Sequence, residues 1–261
     1  MFSNTEHAKS HKSLVIATLV LYFLFLVLSR IPAVWGAWFI HSVAPQLWLT
    51  GVSGTIWEGS AKGSQIDLGP SPLALGEFKW KLKPLSILML SPCLHFETSV
   101  SGQMASGEVC HSLVGTITLN DINIDAPVDA VSHLLPIESR GQMSLQVIEA
   151  TINGNEIDAL DARLSWQNAR VKPDGQPWLI LGAYAATLTG GDQGGINAKV
   201  LDLQGAYGID LDAKWSPKKP LNDSVSIEGT VALKEGASDM VKQALDLIGE
   251  VLSDGVYKVQ W

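Results

Sequence analysis

The densest group of reactive side chains lies in one stretch, where Cys93-Leu94-His95 and Cys110-His111 offer two thiols and two imidazoles. Such a set supports two chemistries: oxidation of the thiols to a disulfide, or capture of a metal ion. The spacing matches none of the usual Cys-x-x-Cys or His-x-x-x-His zinc patterns. These are the only two cysteines of the chain. Pairing of Cys93 with Cys110, free thiols and a metal site all stay open. An oxidising compartment favours the pairing, since closing such a loop contributes about 3 kcal/mol in the chain-entropy model. Other reactive groups carry less. Gly51-Val-Ser53-Gly54 has the wrong spacing for a nucleophile elbow. Gly190-Gly-Asp-Gln-Gly-Gly195 lacks the Lys-Ser/Thr that a phosphate cradle needs. Asp210 with Asp212, and Asp158 with Asp161, read as solvated strand faces, and neither His41 nor His133 has an obvious triad partner. The expectation is a protein that is not an enzyme and holds neither a cofactor nor a metal.

The compartment follows from Leu14–Leu28, LVIATLVLYFLFLVL, which holds no charge, proline or glycine. A bilayer core of roughly 30 Å needs about 17–25 apolar residues in a helix. The run, with its flanks to Ile31, is near the lower limit, where thinning of the bilayer and snorkelling basic flanks help. Lys9 and Lys12 precede it, and after Arg30 no Lys or Arg occurs until Lys62. The positive-inside bias then predicts a cytoplasmic tip (1–13), a transmembrane signal-anchor (14–31), a membrane-proximal helix or linker (32–48) and a periplasmic β-rich domain (49–261). A cleaved signal peptide would need a small-x-small site, and Val34 and Trp35 crowd the Ala-rich candidate that follows. The chain carries a formal charge of −8, concentrated in the exported part. That balance argues against nucleic acid as a partner.

Beyond residue 49 the hydrophobic period changes to two. Phe78, Trp80 and Leu82 alternate with Glu77, Lys79 and Lys81, and Leu160, Ala162, Leu164 and Trp166 alternate with Asp161, Arg163 and Ser165. Leu201–Trp215 keeps Leu201, Leu203, Tyr207, Ile209, Leu211, Ala213 and Trp215 on odd positions. Alternation of this kind predicts half-buried antiparallel strands. Parity slips at Asn120-Asp121, Val147-Ile148 and Val200-Leu201 predict bulges or turns. Asn153-Gly154 and Gly190-Gly191-Asp192 read as hairpin loops. Helical spacing predicts two short helices, near 128–135 and 238–252. The fold class is therefore mostly β: one transmembrane helix, then an antiparallel sheet apolar on one face.

Between anchor and sheet lies Leu49-Thr-Gly-Val-Ser-Gly-Thr-Ile-Trp-Glu-Gly-Ser-Ala61. Its glycines permit tight bends or the close approach of another backbone, into which Trp57 could plug. Gly51, Gly54, Thr55, Trp57, Gly59 and Ala61 resemble the opening signature of the type II secretion system protein N family, in which a basic tip and one apolar anchor precede such a run. The likeness continues through Trp80-Lys-Leu-x-Pro84, Leu160-Asp-Ala-Arg-Leu-Ser-Trp166, Tyr207-Gly-Ile-Asp-Leu211 and a late Leu-Ile-Gly…Asp-Gly255 stretch. Cys93 and Cys110 lie where the chain departs from it. The resemblance implies an accessory inner-membrane component of the machinery that carries folded proteins from the periplasm across the outer membrane of Gram-negative bacteria. It also implies a curved, one-sided sheet similar to AsmA-like envelope proteins, with other secretion subunits as partners.

Two readings of the sheet compete. As a scaffold, it pairs its exposed edges with another envelope protein. As a lipid handler, it curls into a trough whose apolar residues (Phe78, Trp80, Leu82, Leu164, Trp166, Leu203, Tyr207, Ile209, Leu211 and Trp215) line a groove for phospholipid acyl chains. Alternation is the same in a closed core and in a groove.

Overall fold

The computed structural model describes residues 4–67, 72–135, 137–154, 156–217 and 224–261, with the side chains of 4–13, 133, 134 and 193 left aside. The expected cytoplasmic tip and His133 therefore lie wholly or largely outside the described residues.

The chain opens with α1 (Asn4–Ser29). Every side chain from Leu14 to Leu28 is exposed, on all faces of the helix. Among the described residues no helix is long and apolar enough to cross a membrane. The expected span over 14–31 thus rests on the sequence pattern alone. Pro32 precedes α2 (Ala33–Val43), a separate helix after an elbow at Arg30–Pro32 rather than a continuation of α1. The elbow is pinned to the sheet: the Ile56 amide donates to the Ile31 carbonyl at 2.9 Å, and Pro32 bridges Thr55.

Among the described residues fourteen strands follow: β1 (Leu47–Gly54), β2 (Glu58–Asp67), β3 (Pro72–Leu82), β4 (Cys93–Val100), β5 (Gln103–His111), β6 (Thr116–Pro127), β7 (Glu138–Asn153), β8 (Glu156–Lys172), β9 (Leu179–Gly190), β10 (Ile196–Gln204), β11 (Tyr207–Trp215), β12 (Val225–Leu233), β13 (Glu250–Ser253) and β14 (Val256–Gln260). All belong to one antiparallel sheet in sequence order, save that β14 inserts between β12 and β13. The sheet already begins at Leu47. Among the described residues four short helical segments interrupt it: α3 (Pro84–Leu88), 3-10 segments at Val128–Leu134 and Asp192–Gly194, and α4 (Asp239–Ile248).

Where the sequence slips parity, the ladder slips register. Asn120 pairs with Glu149 and Ile122 with Val147, so Asp121 and Ile148 are both passed over, and Asp121 adopts φ +51°. The third slip falls later than its sequence position, between Asp202 and Gln204. Helix α4 is shorter than the expected 238–252. It ends at Gly249, whose amide donates to the Leu245 carbonyl at 2.7 Å, and Glu250 to Ser253 turn back as a strand against β14. Val251 and Leu252 kept helical spacing, yet backbone pairing with Tyr257 and Lys258 claims this segment. Ser238 caps the helix, its hydroxyl accepting from the Met240 amide.

The core lies on one face of the sheet. A cluster of Ala33, Ala61, Phe78 and Trp80 joins a second cluster of Ile122, Val147, Ala150 and Ala162, with Phe96 packed against both. Helix α2 covers this face near β1–β3, and α4 covers it near the other end, where Leu245 is buried.

Candidate functional site

The Gly/Thr/Trp motif forms the joint between helix and sheet. Gly51 and Gly54 hold φ of +65° and +95°, a region that favours glycine. A Cβ on Gly54 would meet the Glu58 carbonyl at 2.6 Å. Thr55 closes the turn, its amide donating to the Glu58 carbonyl at 2.9 Å while its hydroxyl accepts from the Glu58 amide at 3.2 Å. Trp57 does not fill the approach the glycines leave. Its indole N–H instead donates to the Leu28 carbonyl, at 2.7 Å, tying the β1–β2 turn to the end of α1. The space over Gly59 belongs to Trp80: a Cβ there would lie 2.3 Å from Cζ2 of that ring. Gly36 of α2 closes on the indole edge of Trp80, and the indole N–H donates to the Ile56 carbonyl at 3.2 Å. Ala61, fully buried, sits directly across from Phe78.

From this joint the apolar face continues as a furrow. Ile40, Leu47, Phe78, Leu82, Phe96 and Ile124 are among the walls of a cavity of about 410 Å³, in which Phe78 and Phe96 stack with ring centroids 6.2 Å apart. Further along the sheet a second cavity, of about 460 Å³, is walled by Leu164, Trp166, Tyr184, Ile209, Leu211 and Tyr207, with Leu245 of α4 over it. The Trp166 indole donates to the Arg140 carbonyl at 3.1 Å. Toward the helices, a cleft of about 830 Å³ between α1 and α2 is lined by Phe23, Leu26, Trp35 and Trp38. It shares Phe39 and Ile56 with the first cavity, so apolar lining runs from α1 onto the sheet.

Of the residues read as one apolar face, the structure brings together Phe78, Trp80 and Leu82 in one cavity and Leu164, Trp166, Tyr207, Ile209 and Leu211 in the other. Leu203 is not among them. Val200 pairs with Leu211, so Leu201, opposite Asp210, faces away, and Leu203 is 61% exposed. Trp215, 38% exposed, lies at the end of β11 outside both cavities. The late register slip puts Asp202 opposite Tyr184 instead. Its carboxylate is satisfied there by the Ile209 amide at 3.0 Å and by the Lys234 ammonium. That Lys234 bond, ahead of the cost of burial, holds the Asp202 carboxyl below its ordinary pKa. Burial, reinforced by Asp202 and Tyr207, pushes the Tyr184 phenol up to about 12. Sequence reasoning missed Tyr184 and Asp202; the only signal was the extra residue between two alternating runs.

On the opposite face, Cys93 and Cys110 stand directly across β4 and β5 and are bonded to each other. Lys83 and Glu108 form an ion pair beside them, and His95 lies 3.5 Å from Glu97. His111 lines the apolar cavity on the other side of the sheet, so the two thiols and two imidazoles do not converge on one point. The Ser53 hydroxyl meets the Ser60 hydroxyl at 3.2 Å, His41 shares a hydrogen bond with the Leu47 carbonyl, and Asp210 pairs with Lys199.

A family model for type II secretion system (T2SS) protein N matches residues 45–260, which span the entire sheet. The chain belongs to the T2SS protein N family. Membership makes it a component of type II secretion and so of the cell envelope. The match starts two residues before β1 and leaves α1 and α2 outside it. Neither curated proteins nor solved structures give a match to this T2SS protein N.

Proposed function

We propose that this T2SS protein N is an assembly scaffold, held in the inner membrane by α1 with its N-terminus in the cytoplasm and its sheet in the periplasm. One observation carries the reading: the sheet is tied to the helices at its first turn and ends, at the far side, in a short exposed edge strand. At the near side the β1–β2 turn is tied to the elbow, Ile56 to Ile31 and Thr55 to Pro32, and α2 packs against β1. At the far edge, β13 is four residues long and exposed throughout, with Val251 and Leu252 solvent-facing. An open edge strand is a template for a partner's strand. A neighbouring secretion subunit adding a strand there would extend the sheet, while the anchored side holds it to the membrane. The anchor itself is supported by the uniformly apolar, exposed surface of Leu14–Leu28 and by Lys9 and Lys12 before it. Residues 32–48 then serve as the membrane-proximal link to the periplasmic domain from 49 onward, and the protein does no catalysis of its own.

The test is co-purification from membranes. Leu252→Pro places a residue without an amide proton on the edge strand. The expected result is loss of secretion subunits from the purified complex with the thermal midpoint of the protein unchanged. Retention of the same subunits would sink the edge reading.

The furrow supports a second reading, a phospholipid carrier. Its two cavities expose almost only apolar atoms, and helices cover them only at the two ends of the sheet. Acyl chains of the bilayer around α1 would fill it by way of the cleft at Phe23, Trp38 and Ile56.

A further inference from the structure

The strands alternate in direction, so their turns fall at two ends of the sheet. The β1–β2 turn, where Trp57 binds the last turn of α1, lies at one of them. Register carries that end across the sheet: Glu58 faces Lys81, Lys81 faces His95, Cys93 faces Cys110, and Thr116 faces Asn153. The β3–β4 connection (83–92) and the β5–β6 turn (112–115) thus project at the same end as the C-terminus of α1.

These two segments carry apolar side chains outward. Leu85, Leu88, Met89, Leu90, Leu113 and Val114 are 62% to 85% exposed. They are presented from a fixed base. The Leu113 amide donates to the Leu90 carbonyl, and the His111 amide to the Pro92 carbonyl at 3.0 Å. Ser86 accepts from the Cys93 amide at 2.8 Å, and the Cys93–Cys110 bond closes the foot of the tip. Leu90 holds φ +59°, a conformation that a non-glycine residue rarely adopts without a structural reason.

Position along the sheet decides what the tip is for. At the same end but further from α1, the turns are polar: Asn153-Gly154 and Gly190-Gly191-Asp192. At the opposite end, Ser101-Gly102, Pro173-Asp174-Gly175 and Lys234-Glu235-Gly236 are polar too. Among these turns the two nearest the anchor are the apolar ones; the longer connection at 128–135 is apolar too, but its Val128 is turned inward and buried. The two near the anchor also lack acid: 83–92 and 111–116 contain Lys83 and His111 and no carboxylate, in a chain of net charge −8. Lys83 is paired with Glu108, and apolar tips that carry no net negative charge suit the boundary between headgroups and acyl chains of a bilayer.

We propose that the 84–90 and 113–114 tips dip into the bilayer surface beside α1, as a second membrane contact that fixes the tilt of the sheet. This rests on the anchor reading. A single helix pinned to the sheet leaves the two free to tilt together in the bilayer; a second contact a few strands away removes that freedom. It also holds the mouth of the furrow at the lipid surface.

The experiment uses the full chain with a photoreactive benzoylphenylalanine placed singly at Leu88 or Val114, and at Phe23, Asn153 or Asp174 for comparison. Each protein is reconstituted into vesicles of phosphatidylethanolamine and phosphatidylglycerol and irradiated, and lipid adducts are counted by mass spectrometry. Adducts at Leu88 and Val114 approaching those at Phe23, and several-fold above those at Asn153 and Asp174, are expected. Adducts at Phe23 with background levels at Leu88 and Val114 would overturn the second contact and leave the anchor standing. Background labelling at Phe23 removes the anchor, and the proposal with it. Chain-to-chain adducts at Leu88 or Val114 would assign the tip to a second copy, and labelling at Asp174 equal to that at Leu88 would show no oriented contact; either overturns it.

Discussion

Gly59 and Trp80 show how a single missing atom places an aromatic ring. Directly opposite one another on β2 and β3, they interlock because glycine leaves the ring nowhere to collide. Gly59 is not in a left-handed conformation, so sterics alone govern its replacement. Gly59→Ala drives a methyl group into the Trp80 ring and is expected to cost about 1–3 kcal/mol through overpacking, read as a fall in the urea midpoint with an unchanged m-value. A second residue-scale prediction concerns Tyr184. Its hydroxyl donates to the Leu181 carbonyl at 2.9 Å, and its pKa is raised from 10.0 to about 12. A phenol harder to ionise in the folded state than in the unfolded one favours folding only while both forms keep the proton. Its contribution is present in full below pH 10 and is lost as pH rises toward 12. Thermal midpoints of the wild type and Tyr184→Phe should therefore converge across that window. A constant gap would show that the phenol titrates normally. Neither partnership was visible beforehand: the sequence marks Gly59 as permissive and Trp80 as apolar, and their meeting depends on strand register.

At the scale of elements, strands and hairpins were legible because alternation is a local property of the pleat. The slips at Asn120-Asp121 and Val147-Ile148 are met by paired bulges on β6 and β7, which keep both strands in phase. At Val200-Leu201 the sequence could not say where the extra residue would be absorbed. Placing it at Asp202–Gln204 turned Leu201 and Leu203 outward and brought in Asp202, a charge made tolerable by the Ile209 amide and Lys234. The end of α4 was misjudged for a related reason: helical spacing persists through Val251 and Leu252, but an unpaired β14 edge gains more from a strand. The cross-strand bond between Cys93 and Cys110 spans 17 residues. Replacing both with alanine is expected to cost about 3 kcal/mol, measured by denaturant unfolding. An unchanged midpoint would mean the hairpin gains nothing from its covalent closure.

At the scale of the molecule the sheet is wide, and among the described residues its apolar face is covered by helices near its two ends. Native mass spectrometry of the protein released gently from membranes separates the two functional readings. Bound phospholipid near one per chain, retained when α1 is removed and α2 is kept (residues 1–29 deleted), is expected of a furrow that holds acyl chains. Secretion subunits without stoichiometric lipid are expected of a scaffold whose furrow is a lightly filled core. The truncated protein decides the matter, because lipid kept without α1 has to be held by the sheet with α2.

Residue type over a few neighbours was enough to set the antiparallel, one-sided character of the strands, the apolar run near the N-terminus and the family motif. Tertiary structure alone decided that Trp57 reaches back to α1, that Trp80 fills the space above Gly59, and that β14 leaves β13 on the open edge. It also decided that, among the described residues, helices α2 and α4 cover the apolar face near its two ends. The reason is that alternation records which side of a strand avoids water. What meets that side depends on the register, curvature and closure of the whole sheet, which involve residues far apart in the chain.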